Sequence, residues 1–110
     1  MEEKFKKLYT KNLNWSIDTF GSSQNILKLL LKFKEEMKEL EIELVRKANG
    51  AKNLTEISNE IADLMILLQQ FVGFTTGYDT FLEILERKID NNINRKWELQ
   101  PDGTWKHIKE

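Results

Sequence analysis

The chain has no cysteine, one proline and one histidine. Without cysteine it has neither disulfides nor thiolate metal sites. The lone histidine, His107, lies near the end of the sequence, so the paired Glu-x-x-His helices of a di-iron bundle are excluded. The lone proline, Pro101, leaves residues 22–100 without a proline to interrupt helices. An excess of one charge is also missing. The net charge of -1 gives no electrostatic footprint for nucleic acid, whose readers carry a basic surplus. Long apolar runs are absent too. Ile26-Leu27 and Leu29 to Leu31 are interrupted by Lys28 and followed by Lys32, so no membrane span is expected. The first residues lack the charge and apolar order of a signal peptide, and the expected location is the cytoplasm.

What is present is an ordinary globular composition, 40% hydrophobic and 32% charged over 110 residues, expected to form a single domain with one modest core. Apolar spacing of three and four predicts an all-α antiparallel bundle of about four helices. The first helix is expected near residues 2–12, with Phe5, Leu8 and Tyr9 on one side, followed by a loop from Trp15 to Gly21. Ser22 or Ser23 is expected to cap a second helix that ends at Ala48 before Asn49-Gly50. Asn53 and Glu56 have the spacing of a capping box opening a third helix, which reaches Phe71 or Phe74. Asp79 or Thr80 is expected to cap a fourth, running to about Trp97. The stripes of helices two, three and four are expected to form the core, within residues 22–97. The turn signal around Pro101 to Gly103 predicts a short C-terminal hairpin or ordered arm.

The informative feature is acidic. Helix two carries Glu35-Glu36-Met37-Lys38-Glu39, and helix three carries Glu60-Ile61-Ala62-Asp63. On a helical wheel Glu39 falls about 60° from Glu36, and Asp63 about 60° from Glu60, each pair on the same flank of its apolar stripe. If the two stripes pack antiparallel, both pairs reach the edge of one seam. Four carboxylates held together repel one another unless a cation neutralises them. An oxygen-only donor set suits Mg²⁺, with Mn²⁺ as a substitute. On helix four, Lys88, Asn92 and Arg95 fall on one polar stripe, a pattern suited to a polyphosphate. Trp15, Phe20 and Tyr78 are candidates to stack on a base.

These elements together resemble the MazG-like, all-α nucleoside triphosphate pyrophosphohydrolases. Glu35, Glu36 and Glu39, a spacer of 20 residues from Leu40 to Asn59, then Glu60 and Asp63 match that family's two-part acidic motif. Lys88, Asn92, Arg95 and Trp97 resemble its third motif. The segment from Trp15 to Gly21 resembles one seen in members acting on purine deoxynucleotides, several of them phage-encoded. The resemblance implies that Glu36, Glu39, Glu60 and Asp63 ligate Mg²⁺, and that Glu35 lies outside them or orients a water. It implies that Lys88 and Arg95 hold phosphates, that Asn92 contacts phosphate or sugar, and that Trp15 contacts substrate. The implied reaction is Mg²⁺-dependent hydrolysis of nucleoside triphosphates, favouring purine deoxynucleotides, to a monophosphate and pyrophosphate. A homodimer or homotetramer is expected. Leu27, Leu31, Ile42 and Val45 lie off the main stripe of helix two and call for a partner. The alternatives are a non-catalytic helical interaction protein and a nucleotide-binding regulator that does not turn over.

Overall fold

The structure, a computed structural model, describes residues 2–22 and 25–108. It contains α1 (Glu2–Phe20), α2 (Ile26–Ala48), α3 (Leu54–Gly73) and α4 (Tyr78–Asn94), then β1 (Trp97–Leu99) and β2 (Trp105–His107). The chain divides into two compact units, Met1–Tyr78 and Asp79–Glu110. None of the described helices is long and apolar enough to cross a membrane.

In the first unit α2 and α3 form an antiparallel pair. Phe33 meets Phe71 edge-to-face at 5.9 Å, while Glu43, further along α2, meets Asn53, further back along the chain. Leu29, Phe33 and Leu40 of α2, with Ile57, Leu64 and Phe71 of α3, are half-buried, as the three-and-four spacing requires. The turn between them is a Schellman-type cap. Ala51 N–H donates to the Arg46 carbonyl at 3.0 Å, and Gly50 takes the left-handed conformation at φ +94°.

The expected core left out α1, and this is corrected by the fold of the first unit. Tyr9 and Ser16 of α1 are buried, as is Leu67 of α3. Asn12 Nδ2 donates to the Ile66 carbonyl at 2.9 Å and to Gln69 Oε1 at 3.1 Å, tying α1 to α3. Gly73 permits this approach, because a Cβ there would lie 2.5 Å from Leu13 Cδ1. The expected loop from Trp15 is likewise corrected: α1 continues to Phe20 and places Trp15 on a helix. Leu13 and Ile17 extend the stripe at a spacing of four, and the helix ends only where Gly21 adopts φ +90°.

Three caps differ from expectation: α4 begins at Tyr78, so Asp79 and Thr80 lie inside that helix and neither caps it. Asn25 caps α2, its side chain accepting from the N–H groups of Leu27 and Lys28. Ser22 precedes that cap, and Ser23 lies outside the described residues. Asn53 stands at the start of α3 but makes no capping bond with its side chain. It is 2% exposed and donates instead to the Glu43 carbonyl and to Glu43 Oε2, both at 2.9 Å. Glu43 is also held by Arg46, whose Nη1 lies 2.7 Å from Oε1.

In the second unit α4 ends at Asn94, short of the expected Trp97. The backbone there is taken by the hairpin: Ile108 N–H donates to the Lys96 carbonyl, and Trp97 pairs with His107. Trp97 Nε1 donates to the Asn92 carbonyl at 2.9 Å, fastening the hairpin to the helix end. At the turn, Asp102 accepts from both the N–H and the hydroxyl of Thr104, and Gly103 sits at φ +87°. The expected terminal hairpin therefore forms.

Candidate functional site

Antiparallel packing of α2 on α3 brings the two acidic segments together. Glu36, Glu60 and Asp63 each place a carboxylate oxygen within 4.8 Å of the others. Glu39, one turn along α2, is exposed and stands outside that trio, yet its charge reaches Glu60. Glu60 is the most constrained member. Its Oε2 is buried and has no hydrogen-bond partner among the described residues. Burial pushes its carboxyl above the usual range, and the charges of Asp63, Glu39, Glu36 and Glu43 push it further. A half-buried carboxylate beside like charges, with an unsatisfied oxygen, disfavours its own ionised form.

One cation already faces the cluster. Lys32 Nζ lies 3.2 Å from Glu36 Oε1 and 3.8 Å from Glu35 Oε2. The hydrogen bond to Glu36, then the charges of Glu36 and Glu35, hold the Lys32 ammonium above its usual range. Glu35 is largely exposed and contributes to this pair rather than to the trio.

The cluster opens on a cavity of about 740 Å³. Glu36 and Asp63 lie on its wall, with Lys28 and Lys32 beside them on the same face of α2. Trp15 and Phe20, packed edge-to-face at 5.5 Å, form an aromatic wall. Ile66 and Leu67 add apolar lining, and Gln70, 4% exposed, adds an amide. Gln70 Nε2 donates to Asn12 Oδ1 at 3.3 Å, so the bonds that seat α1 also orient this amide. The cavity thus joins two carboxylates of the cluster, two ammonium groups and an edge-to-face aromatic pair.

Trp15, Glu36, Glu60 and Asp63 are thereby brought to one cavity and its acidic edge. Lys88, Asn92 and Arg95 belong to the second unit. Lys88 and Asn92 are exposed on α4, one turn apart, whereas Arg95 lies past the helix end, so the expected three-residue helical stripe is shortened to two. Tyr78 packs on Phe5 and Tyr9, with Lys6 over its ring, and serves the aromatic cluster of the first unit. Sequence reasoning missed Lys28, Lys32 and Gln70. The signal for the lysines was available: Lys28, Lys32 and Glu36 recur at intervals of four and share one helix face.

No family model matches this chain, and no curated protein or solved structure does either.

Proposed function

We propose that this protein is a divalent-metal-dependent hydrolase that converts a nucleoside triphosphate and water to a nucleoside monophosphate and pyrophosphate. The observation that carries the reading is Glu60 Oε2, buried with no partner among the described residues where three carboxylates converge at the edge of a cavity. The donor set fits a hard cation. It is all oxygen, with no histidine or thiolate among its members, and it carries more negative charge than Lys32 balances. Glu36, Glu60 and Asp63 would hold Mg²⁺ or Mn²⁺, with Glu39 completing the charge. Bound there, the cation supplies neutralisation of the polyphosphate and a water of lowered pKa.

The remaining roles belong to the chain's own side chains. Trp15, backed by Phe20, offers its face to the base. The resemblance in sequence assigns phosphates to Lys88 and Arg95, phosphate or sugar to Asn92, and orientation of a water to Glu35. It also supports cleavage between the α and β phosphates and a preference for purine deoxynucleotides. Leu27, Leu31, Ile42 and Val45 are each more than half exposed on α2, which supports a homodimer or homotetramer.

The test is incubation with each nucleoside triphosphate and deoxynucleoside triphosphate plus Mg²⁺. Pyrophosphate and a monophosphate are expected. Orthophosphate would overturn the bond assignment, and binding without turnover would favour the regulatory alternative. Trp15→Ala is expected to raise KM about tenfold, the scale of one lost stacking contact. Light scattering should give a mass above the 13.1 kDa of one chain.

A further inference from the structure

We infer that Lys32 is a phosphate-binding residue held in reserve by Glu36 and released when a divalent cation occupies the carboxylate cluster. The inference rests on the metal-dependent reading above and adds to it a residue and an order of events. Lys32 belongs to two environments at once. Its ammonium is 3.2 Å from Glu36 Oε1, a member of the trio, and the same side chain lines the cavity beside Lys28. Its side chain is 58% exposed, against 15% for that of Glu36, so the lysine is the partner with room to move.

The charges dictate the sequence of events. Before a cation binds, Lys32 offsets part of the repulsion among Glu36, Glu60 and Asp63. With a divalent cation held by those carboxylates, Glu36 would no longer need the Lys32 ammonium, which the added positive charge would repel. The four-carbon stem then allows the ammonium to turn toward the cavity, where a polyphosphate is the anion that needs it. The same positive charge therefore serves the carboxylates first and the phosphates afterwards. Lys32 must compete with the cation and cooperate with the nucleotide, and those two couplings have opposite signs.

Opposite signs make the test specific. Mn²⁺ affinity is measured by electron paramagnetic resonance on the full chain. Affinity for an α,β-imido deoxynucleoside triphosphate is measured calorimetrically in saturating Mn²⁺. Lys32→Met is expected to bind Mn²⁺ alone about two- to fivefold more tightly, the scale of one exposed ion pair. The same variant is expected to bind the nucleotide analogue roughly tenfold more weakly, the scale of a lost charge-assisted bond. Lys34→Met removes the same charge from a residue away from the cavity wall and should leave both constants unchanged. Lys32→Met binding Mn²⁺ no more tightly than wild type, or the analogue no more weakly, would overturn the inference. If wild type binds no Mn²⁺ that Glu60→Gln abolishes, the metal-dependent reading falls, and this inference with it. If wild type binds Mn²⁺ and turns over but Lys32→Met matches it in both constants, only the role of Lys32 falls.

Discussion

Two turns of helix separate two carboxylates of α2 that the same seam treats in opposite ways. Glu43 is fully provided for: Arg46 grips both of its oxygens, and the buried amide of Asn53 donates to its side chain and its carbonyl. The bond from Asn53, then that from Arg46, hold its carboxyl below the usual range. Glu36 has the exposed ammonium of Lys32 on one oxygen but otherwise meets Glu60 and Asp63, and Glu60 has a buried oxygen with no partner among the described residues and a raised carboxyl. One end of the seam spends its charges on holding α2 to α3. The other end gathers like charges whose repulsion Lys32 offsets only in part. The difference sets a carboxylate satisfied by donors against one crowded by like charges.

The comparison breaks if the two ends respond alike to substitution. The largest expected effect is on turnover: Glu60→Gln should lower kcat/KM by at least about a hundredfold, the upper end of what even outer partners of a metal contribute. The metal-free variant should nevertheless be more stable than wild type at neutral pH, because a repelled, desolvated charge is gone. Asn53→Ala should do the reverse. It is expected to cost about 1–3 kcal/mol by urea denaturation, since it strips a buried amide and leaves Glu43 short of donors. Its activity per folded molecule should be retained.

A smaller effect sharpens the contrast by pH. The raised Glu60 carboxyl gives no penalty below its ordinary value of 4.5, and the penalty grows as pH rises through the raised value. Glu60→Gln should therefore gain on metal-free wild type as pH rises. The lowered Glu43 carboxyl stabilises the fold above 4.5, and that contribution is lost as pH falls through the lowered value. Glu43→Gln should be the less stable protein at neutral pH, with the gap closing in acid. Denaturation midpoints across the acid range check both signs.

Much of this arrangement is legible in the sequence because helical period alone sets it. The flank positions of Glu36, Glu60 and Asp63 follow from spacing, and antiparallel packing does the rest. The end of α2 at Asn49-Gly50 and the turn near Gly103 follow from backbone preferences. Other features depend on contacts that no local rule contains. Asn53 has a capping-box spacing, but its Nδ2 donates to Glu43 ten residues back on α2, and its buried Oδ1 accepts no bond from the described residues. Residues 13–20 carry no breaker, and α1 runs on until Gly21 supplies the conformation that ends it. Lys32 reads as one more solvated lysine until Glu36 is known to face Glu60. Arg95 loses its helical position because the hairpin captures the backbone at Lys96.

The central claim is that the Glu36, Glu60 and Asp63 cluster exists for a divalent cation. The most direct measurement is the Tm of wild type and Glu60→Gln, side by side, as Mg²⁺ is raised at neutral pH. Wild type should start below the variant, climb with Mg²⁺ as binding to the folded state demands, and overtake it, while the variant stays nearly flat. A wild-type Tm that ignores Mg²⁺, or two curves that rise together, would contradict the account.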